Sequence, residues 1–205
     1  MATIPSIKGS VLAGHVEVLK KYLDTNPVDA ATLESRFEPG DLKLLDHTIP
    51  TARWYDVRIH TRILEFLRDY EGSGSNQYLV DAGMRSAENL IRSGTYQQMD
   101  YLRRTRLSAQ SSAQDRFVAF GHDLRLLVSV THSIVNFSAP GLIEDPDHEL
   151  RYIIEHQQAE DYPEVLCWTT QGFCNRMAAE HGNPDLWYWE RPRPDLVWYR
   201  MNRSV

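Results

Sequence analysis

The sequence contains eight histidines and two cysteines. These are its residues best suited to metal binding or nucleophilic catalysis. Their spacing supports neither chemistry, because the sequence contains no His-Glu-x-x-His and no Cys-x-x-Cys. Cys167 and Cys174 are seven residues apart in a predicted helix, about 10 Å along its axis and too far for a disulfide. Gly-x-Ser-x-Gly, which presents a hydrolase serine, is also missing. We therefore predict a non-enzymatic protein without a metal site.

Haem ligation is a further chemistry that a single histidine can supply. His122 and His132 flank an apolar segment and are the candidates for an axial ligand. The other histidines are expected to be structural or solvated. The sequence requires no cofactor, and haem is kept as an alternative.

Two short motifs are similar to ligand-binding loops but lack essential residues. Gly72 and Gly74 begin a glycine-rich loop, but Gln77 replaces the third glycine and a helix, not a strand, precedes it. The run from Asp145 to Glu149 begins like a calcium loop, yet its sixth and twelfth positions are not Gly and Glu. We expect a flexible joint at the first motif and an acidic turn at the second.

The formal net charge of −6 is concentrated in one segment. Residues 144–161 carry seven acidic side chains and one arginine, which equals the charge of the whole chain. An acidic strand edge resists pairing with another strand, and the segment is alternatively a docking surface for a basic partner. Arginines gather near aromatic residues in 85–106 and in 187–203. Because the chain is acidic overall, we expect packing there and no nucleic-acid partner.

The 205 residues are 42% hydrophobic and 24% charged, which is typical of one soluble domain, residues 1–205. No segment reaches the roughly 18 apolar residues of a membrane span, and the first residues are unlike a signal peptide. A cytoplasmic protein without membrane contact is the prediction.

Apolar spacing predicts an α+β fold with helices packed on a small antiparallel sheet and a C-terminal strand–helix–hairpin. The helical part is about 7–131 and the sheet-containing part about 132–205. Gly83 and Ala87 are small and four residues apart, so another helix can approach closely there. The predicted helices are 7–23, 27–37, 55–70, 77–93, 96–106, 114–131 and 163–181, and the predicted strands are 134–137, 148–158, 186–190 and 196–201.

The segment from Val165 to Phe173, followed by an Asn183-Pro184 break and an aromatic hairpin, resembles the closing segment of 4-vinyl reductase domains. These domains are related in fold to haem–nitric-oxide-binding domains and Bet-three-like subunits. The amino-terminal part is similar to an uncharacterised myxobacterial paralogous family. The positions that match the phenol-sensing members are Cys167, Trp168, Gly172 and Phe173. The resemblance implies helices on an antiparallel sheet with an apolar ligand pocket between them.

The zinc of the phenol sensors is not implied here. Those proteins use several cysteines and a glutamate, whereas only Cys167 matches and Glu190 is a loose candidate. Tetrahedral sites need four ligands. The proximal histidine of the haem relatives has no identifiable counterpart in this sequence either.

We expect a sensory or ligand-binding domain that takes a small apolar or aromatic molecule and signals through an unidentified protein partner. Trp168 and Phe173 would line the pocket, although plain core packing explains them equally well. A structural assembly module is the first alternative, with a homodimer through Gly83 and Ala87. A haem-binding gas sensor is the second alternative. The complete set of pocket candidates is Trp168, Phe173, Gly172, Cys167, Ile63 and Phe66.

Overall fold

The structure is a computed structural model that describes residues 4–92 and 112–205. The predicted helix 96–106 lies outside the described residues. The elements in chain order are β1 (Ser6–Lys8), α1 (Gly9–Thr25), α2 (Ala30–Arg36), a 3₁₀ turn (Asp41–Asp46), β2 (Trp54–Asp56), α3 (Val57–Tyr70), α4 (Asn76–Arg92), α5 (Ala113–Ile134), β3 (Ala139–Glu144), β4 (Tyr152–Gln157), α6 (Glu164–Ala179), β5 (Trp187–Arg193) and β6 (Leu196–Met201).

The predicted α+β class is confirmed: helices pack against a four-stranded antiparallel sheet of order β3-β4-β6-β5. The predicted C-terminal hairpin is present as β5 and β6. A second sheet joins β1 to β2 within the helical part. Sequence reasoning missed both of these strands, because three residues are too few to reveal an alternating pattern.

The predicted strand 134–137 is wrong, because α5 continues to Ile134 and the strand begins at Ala139. Pro140 and Gly141 belong to β3, although a Pro-Gly pair is more typical of a turn. Pro140 has no backbone N–H to donate to a neighbouring strand. It is tolerated because β3 is an edge strand, which has a neighbouring strand on one side only.

The inner face of the four-stranded sheet packs on α5 and α6. The ring of Tyr152 on β4 stacks on Phe117 of α5 with centroids 4.1 Å apart. Trp187 and Trp189 on β5 point to the same side, where Trp187 meets Phe120 and Trp189 meets Trp168. Alternate residues of each strand therefore form the opposite, outer face.

Two glycines form the crossing of α4 and α6. A Cβ at Gly83 would lie 1.8 Å from the carbonyl oxygen of Thr169, and one at Gly172 would lie 1.9 Å from that of Val80. The two helix backbones are in direct contact. Only glycine, whose side chain is a single hydrogen atom, permits this approach. The predicted close approach of a helix at Gly83 is thus confirmed.

The free edge of β5 is bonded by side chains of α6. The backbone N–H of Trp187 donates to Asn175 Oδ1 (2.7 Å), and Asn175 Nδ2 donates to the carbonyl oxygen of Trp187 (3.0 Å). Two residues further along β5, the backbone N–H of Trp189 donates to Gln171 Oε1 at 2.9 Å. These amides fix β5 to the helix and satisfy backbone groups that have no neighbouring strand.

Candidate functional site

A small cavity lies between α5 and α6, next to the start of β5. Its volume is about 20 Å³, which is roughly the space that one water molecule needs. The walls are mostly apolar and aromatic, with one carboxylate and one imidazole among them. The lining residues are Phe120, Asp123, Leu124, Leu127, Cys174, Met177, Ala178, His181 and Trp187.

The polar group of this cavity is the pair of Asp123 and His181. The Asp123 side chain is 5% exposed, and its Oδ2 lies 3.8 Å from Nε2 of His181. The Phe120 ring and the imidazole are nearly perpendicular, with centroids 5.6 Å apart. The carboxylate and the imidazole are the hydrogen-bonding side chains of a wall that is otherwise apolar. Binding of a molecule with one hydrogen-bond donor fits this arrangement.

Two helices bring the pair together. The apolar positions Phe117, Phe120, Leu124 and Val128 give α5 its buried stripe, and Asp123 falls within the same face. His181 follows the end of α6. Its backbone N–H donates to the carbonyl oxygen of Ala178 at 2.9 Å.

Cys174 lies in the cavity wall, but its thiol is chemically quiet. Burial raises the pKa of Cys174 to about 12, so the thiol stays protonated at neutral pH. The thiolate is the nucleophilic form, and an acid–imidazole–thiol arrangement therefore lacks its nucleophile here. Cys167 behaves alike, since burial raises its pKa to about 11.

The six predicted pocket residues pack elsewhere and line neither this cavity nor a second one under loop 144–151. Ile63 and Phe66 are fully buried in the helical core, where Phe66 stacks on Tyr70 with centroids 4.4 Å apart. Trp168 meets Trp189 edge-on at 5.3 Å, and its Nε1 donates to Glu164. These side chains have the core-packing role that the sequence allowed as an alternative.

The other three candidates belong to the interior of the same helix. Cys167 is fully buried beneath Arg191, whose guanidinium approaches the sulfur to 3.9 Å. Gly172 sits in the α4–α6 crossing, and Phe173 is half-buried next to it. None of the six residues lines either cavity, and the pocket around Trp168 stays a prediction.

The predicted dimer face at Gly83 and Ala87 also needs correction. Both residues are buried, and Gly83 lies against the backbone of α6 in the same chain. The small residues serve a contact within one chain, so this face is not available to a second copy in the described structure.

The predicted haem and zinc candidates do not converge on the cavity. His122 and His132 are exposed on α5, and the cavity is far below the roughly 300–1,000 Å³ of typical small-molecule sites. Glu190 lies on the outer face of the sheet, whereas Cys167 is buried beneath Arg191 on the inner side. In residues 4–92 and 112–205, no three His, Cys, Asp or Glu side chains group as a metal site would require.

Two histidines of the helical part form a pair, one of them fully buried and the other half-buried. His60 Nε2 on α3 lies 3.0 Å from His15 Nδ1 on α1, and His60 is fully buried. Burial lowers the pKa of His15 to about 4. Burial, followed by the charge of His15, also lowers the pKa of His60. The sequence placed both among the structural histidines without pairing them.

This pair predicts a specific pH dependence of stability. Unfolded histidine has a pKa of about 6.5. Below that pH the unfolded chain therefore binds protons that the folded pair, with its lowered pKa values, does not bind. The contribution of the pair is complete above pH 6.5 and declines as the pH falls towards 4, by roughly 1.4 kcal/mol per pH unit and proton. We expect His60→Gln to flatten the slope of unfolding free energy against pH between 6.5 and 4.5.

Urea unfolding at four pH values measures this slope. His148→Gln, which changes an exposed histidine, serves as control and is expected to leave the slope unchanged. Part of the slope will persist in both variants, because burial lowers the pKa of His156 to about 4. Equal slopes in His60→Gln and the parent would contradict the prediction.

Sequence reasoning did not select Asp123 as a functional residue. The available signal was an acid on the apolar stripe of a helix, since aspartate is rarely fully buried. His181 was counted among the histidines but not distinguished, because its partner lies 58 residues earlier in the chain. Their proximity depends on how α5 and α6 pack, which periodicity does not reveal.

No family model and no curated protein matches the chain. One solved structure, from work on "Modulating Heme Redox Potential Through Protein-Induced Porphyrin Distortion", is similar with a TM-score of 0.48 and 12% sequence identity. The alignment covers 95% of this chain and 97% of that chain. None of the described helices is both long enough and apolar enough to span a membrane.

Proposed function

We propose that this chain is a non-enzymatic ligand-binding domain that takes a small apolar or aromatic molecule between α5 and α6. The observation that carries the proposal is the cavity itself: apolar and aromatic walls with a single buried carboxylate–imidazole pair. Small-molecule sites are built in this way, with apolar walls for affinity and few polar groups for orientation. The protonated thiol of Cys174 supports binding over catalysis.

Binding of a ring requires the cavity to enlarge. The amino-terminal part of α5 is anchored by the stacking of Phe117 on Tyr152. The opposite side of α5 carries Val118, Leu126 and Val130, which are 45%, 40% and 46% exposed. Because these side chains face solvent, an outward movement of the carboxyl-terminal half of α5 breaks little packing on that side. The helix is thus the element that yields to a ligand.

The exposed side chains Val118, Leu126 and Val130, called the ridge of α5 below, also support a sensory role. Leu127 lines the cavity, whereas Leu126 and Val130, one helical turn apart, are exposed on the outer side of α5. A ligand beneath Leu127 would therefore displace a helix whose outer side is partly apolar. Binding would then change the apolar surface offered to a partner protein, which is a population shift driven by the ligand. No output chemistry within the chain is needed for this signal.

Thermal unfolding with phenol and toluene tests the proposal. Phenol carries a hydroxyl donor for Asp123 and toluene carries none, so we expect phenol to raise the midpoint more. Binding at a hundredfold excess over Kd stabilises the folded state by about 2.7 kcal/mol. Leu127→Phe should fill the cavity and abolish the rise, whereas Leu126→Phe adds the same ring on the exposed side and should preserve it.

Two results would overturn the proposal. One is a parent protein whose midpoint neither compound changes at millimolar concentration. The other is a Leu127→Phe variant that is folded and responds like the parent, since the ligand would then bind at a different place.

An assembly module is the second candidate, and the exposed ridge on α5 is the observation that favours it. Exposed apolar side chains in a contiguous patch are typical of protein interfaces. This candidate would be supported over the first if no compound changes the thermal unfolding midpoint and light scattering shows a stable dimer.

A further inference from the structure

The two edges of the four-stranded sheet differ in how their backbone groups are used. At β5 the side-chain amides of α6 bond the outward groups. At β3 the backbone forms the ladder to β4 and no other hydrogen bond with residues 4–92 or 112–205. The sheet is therefore closed at one edge and open at the other within the described part of the chain.

The alternation of an antiparallel ladder identifies the open groups of β3. The N–H of Asp145 donates to the carbonyl oxygen of Arg151 at 2.9 Å, so the backbone of Asp145 points towards β4. Every second residue of a strand points the same way, and the even-numbered residues of β3 therefore point to the open side. Leu142 and Glu144 present an N–H and a carbonyl there, whereas Pro140 presents a carbonyl alone.

These open groups match those of a second copy of the strand. When two copies run antiparallel about Leu142, the N–H of each Leu142 faces the Leu142 carbonyl of the other. The N–H of Glu144 faces the carbonyl of Pro140 in the other copy. Because Pro140 has no N–H, the Glu144 carbonyl stays without a strand partner. Water can bond it, since Glu144 is exposed at the end of β3.

The two ends of β3 also carry complementary side chains. Glu144 is the acid at the carboxyl end. At the other end, Pro140 is paired with His156 of β4, and the exposed His132 of α5 lies near them. Burial, followed by the charge of His132, lowers the pKa of His156. Antiparallel pairing thus brings the acid of each copy to the imidazole end of the other.

The same arrangement limits repulsion between the two acids. With pairing about Leu142, each Glu144 lies opposite Pro140 of the other copy. The two Glu144 side chains are then about 13 Å apart along the strands, which exceeds the Debye length of about 8 Å at physiological ionic strength. Pairing about Ile143 would place the two acids at roughly half that separation. The pairing about Leu142 is therefore the better matched of the two.

The helix α5 leaves room for a second copy. It lies over both β3 and β4, a width of two strand spacings or about 10 Å. In a sheet continued through β3, the α5 helices of the two copies lie about 10 Å apart, which is a normal distance for packed helices. An isolated extended peptide could use the same edge but has no helix to supply the counterpart of His132.

We infer that a second copy of this chain docks at the open edge of β3, antiparallel about Leu142, and joins the two four-stranded sheets into one. Backbone hydrogen bonds provide the attachment, as in other cases of strand addition. Glu144 beside His132 of the other copy favours the antiparallel register. The inference uses no residue of the cavity between α5 and α6, so it is independent of ligand binding. It also differs from assembly through the ridge of α5.

Sedimentation equilibrium of the full chain tests the inference with two charge variants. Glu144→Lys and His132→Glu each place like charges at both ends of the strand pair. We expect each variant to dimerise at least tenfold more weakly than the parent, about 1.4 kcal/mol. An equimolar mixture of the two variants should recover the affinity of the parent. In the mixed dimer the introduced lysine faces the introduced glutamate at one end, and the native pair is retained at the other.

Two control variants separate this edge from other causes of dimerisation. Glu149→Lys reverses an exposed acid in the loop that follows β3, and Leu126→Lys alters the ridge of α5. Each should change the dimer affinity less than twofold. Glu144→Pro removes the outward N–H at an exposed position and is expected to weaken the dimer at least tenfold. Urea unfolding of every variant checks that it is folded.

Three results would overturn the inference. The first is a parent that stays monomeric at millimolar concentration. The second is a control variant that weakens the dimer as much as Glu144→Lys does, since the contact would then follow net charge or the ridge of α5. The third is a mixture of the two charge variants that dimerises no better than its components. None of these results bears on ligand binding between α5 and α6.

Discussion

A Gly83→Ala variant is expected to unfold at a far lower urea concentration than the parent. The new Cβ would lie 1.8 Å from the Thr169 carbonyl oxygen, and that atom belongs to helix backbone that cannot turn aside. The helices α4 and α6 must separate, and overpacking of this kind costs about 3 kcal/mol or more. Far-ultraviolet circular dichroism in a urea series measures the loss.

Gly14→Ala is the matched control for this prediction. Gly14 also lies in a helix, but nothing is within 4 Å of its Cβ position. Alanine there should stabilise the protein by about 0.5–1 kcal/mol, because glycine disfavours the helix interior. If Gly83→Ala is folded and as stable as the parent, the described crossing of α4 and α6 is wrong. Gly172→Ala checks the same contact from the other helix.

Asn175→Ala is expected to produce the second large loss of stability. The amide of Asn175 bonds both the N–H and the carbonyl of Trp187, and all of these groups are buried. Alanine leaves two backbone groups without partners, at about 1–3 kcal/mol for each unsatisfied group. We therefore expect a loss of roughly 2–6 kcal/mol in urea unfolding.

Asn26→Ala provides the comparison, because Asn26 Nδ2 also donates to a backbone carbonyl, that of Tyr22, but at an exposed position. Water replaces that bond, so the loss should stay below about 1 kcal/mol. Equal losses in the two variants would show that the amide of Asn175 is not what holds β5. Asn175→Asp separates the two bonds, since it retains the acceptor for Trp187 N and removes the donor.

The long amphipathic elements were predictable from the sequence, whereas their contacts were not. Apolar spacing located α3 and α4 to within two residues because each has one clear stripe. The C-terminal hairpin followed from two aromatic runs around a proline-rich turn. The strands β1 and β2 escaped because their pairing is non-local and each has three residues.

The candidate site was less accessible than the fold. The resemblance drew attention to Trp168 and Phe173, but an aromatic residue on a helix suits core packing as well as a pocket. The cavity depends on Asp123 and His181, which belong to different helices. Only the relative placement of α5 and α6 makes them neighbours. Periodicity describes one element at a time and contains no information on such pairs.

The amides of Asn175 and Gln171 have a consequence for self-association. A bare sheet edge is a template on which another chain can add a strand, and this is a common route to aggregation. On β5 the positions at Trp187 and Trp189 already have hydrogen-bond partners from the same chain. Growth of the sheet beyond β5 would require α6 to release both amides. Association through this part of the molecule must therefore use side-chain surfaces and not backbone extension.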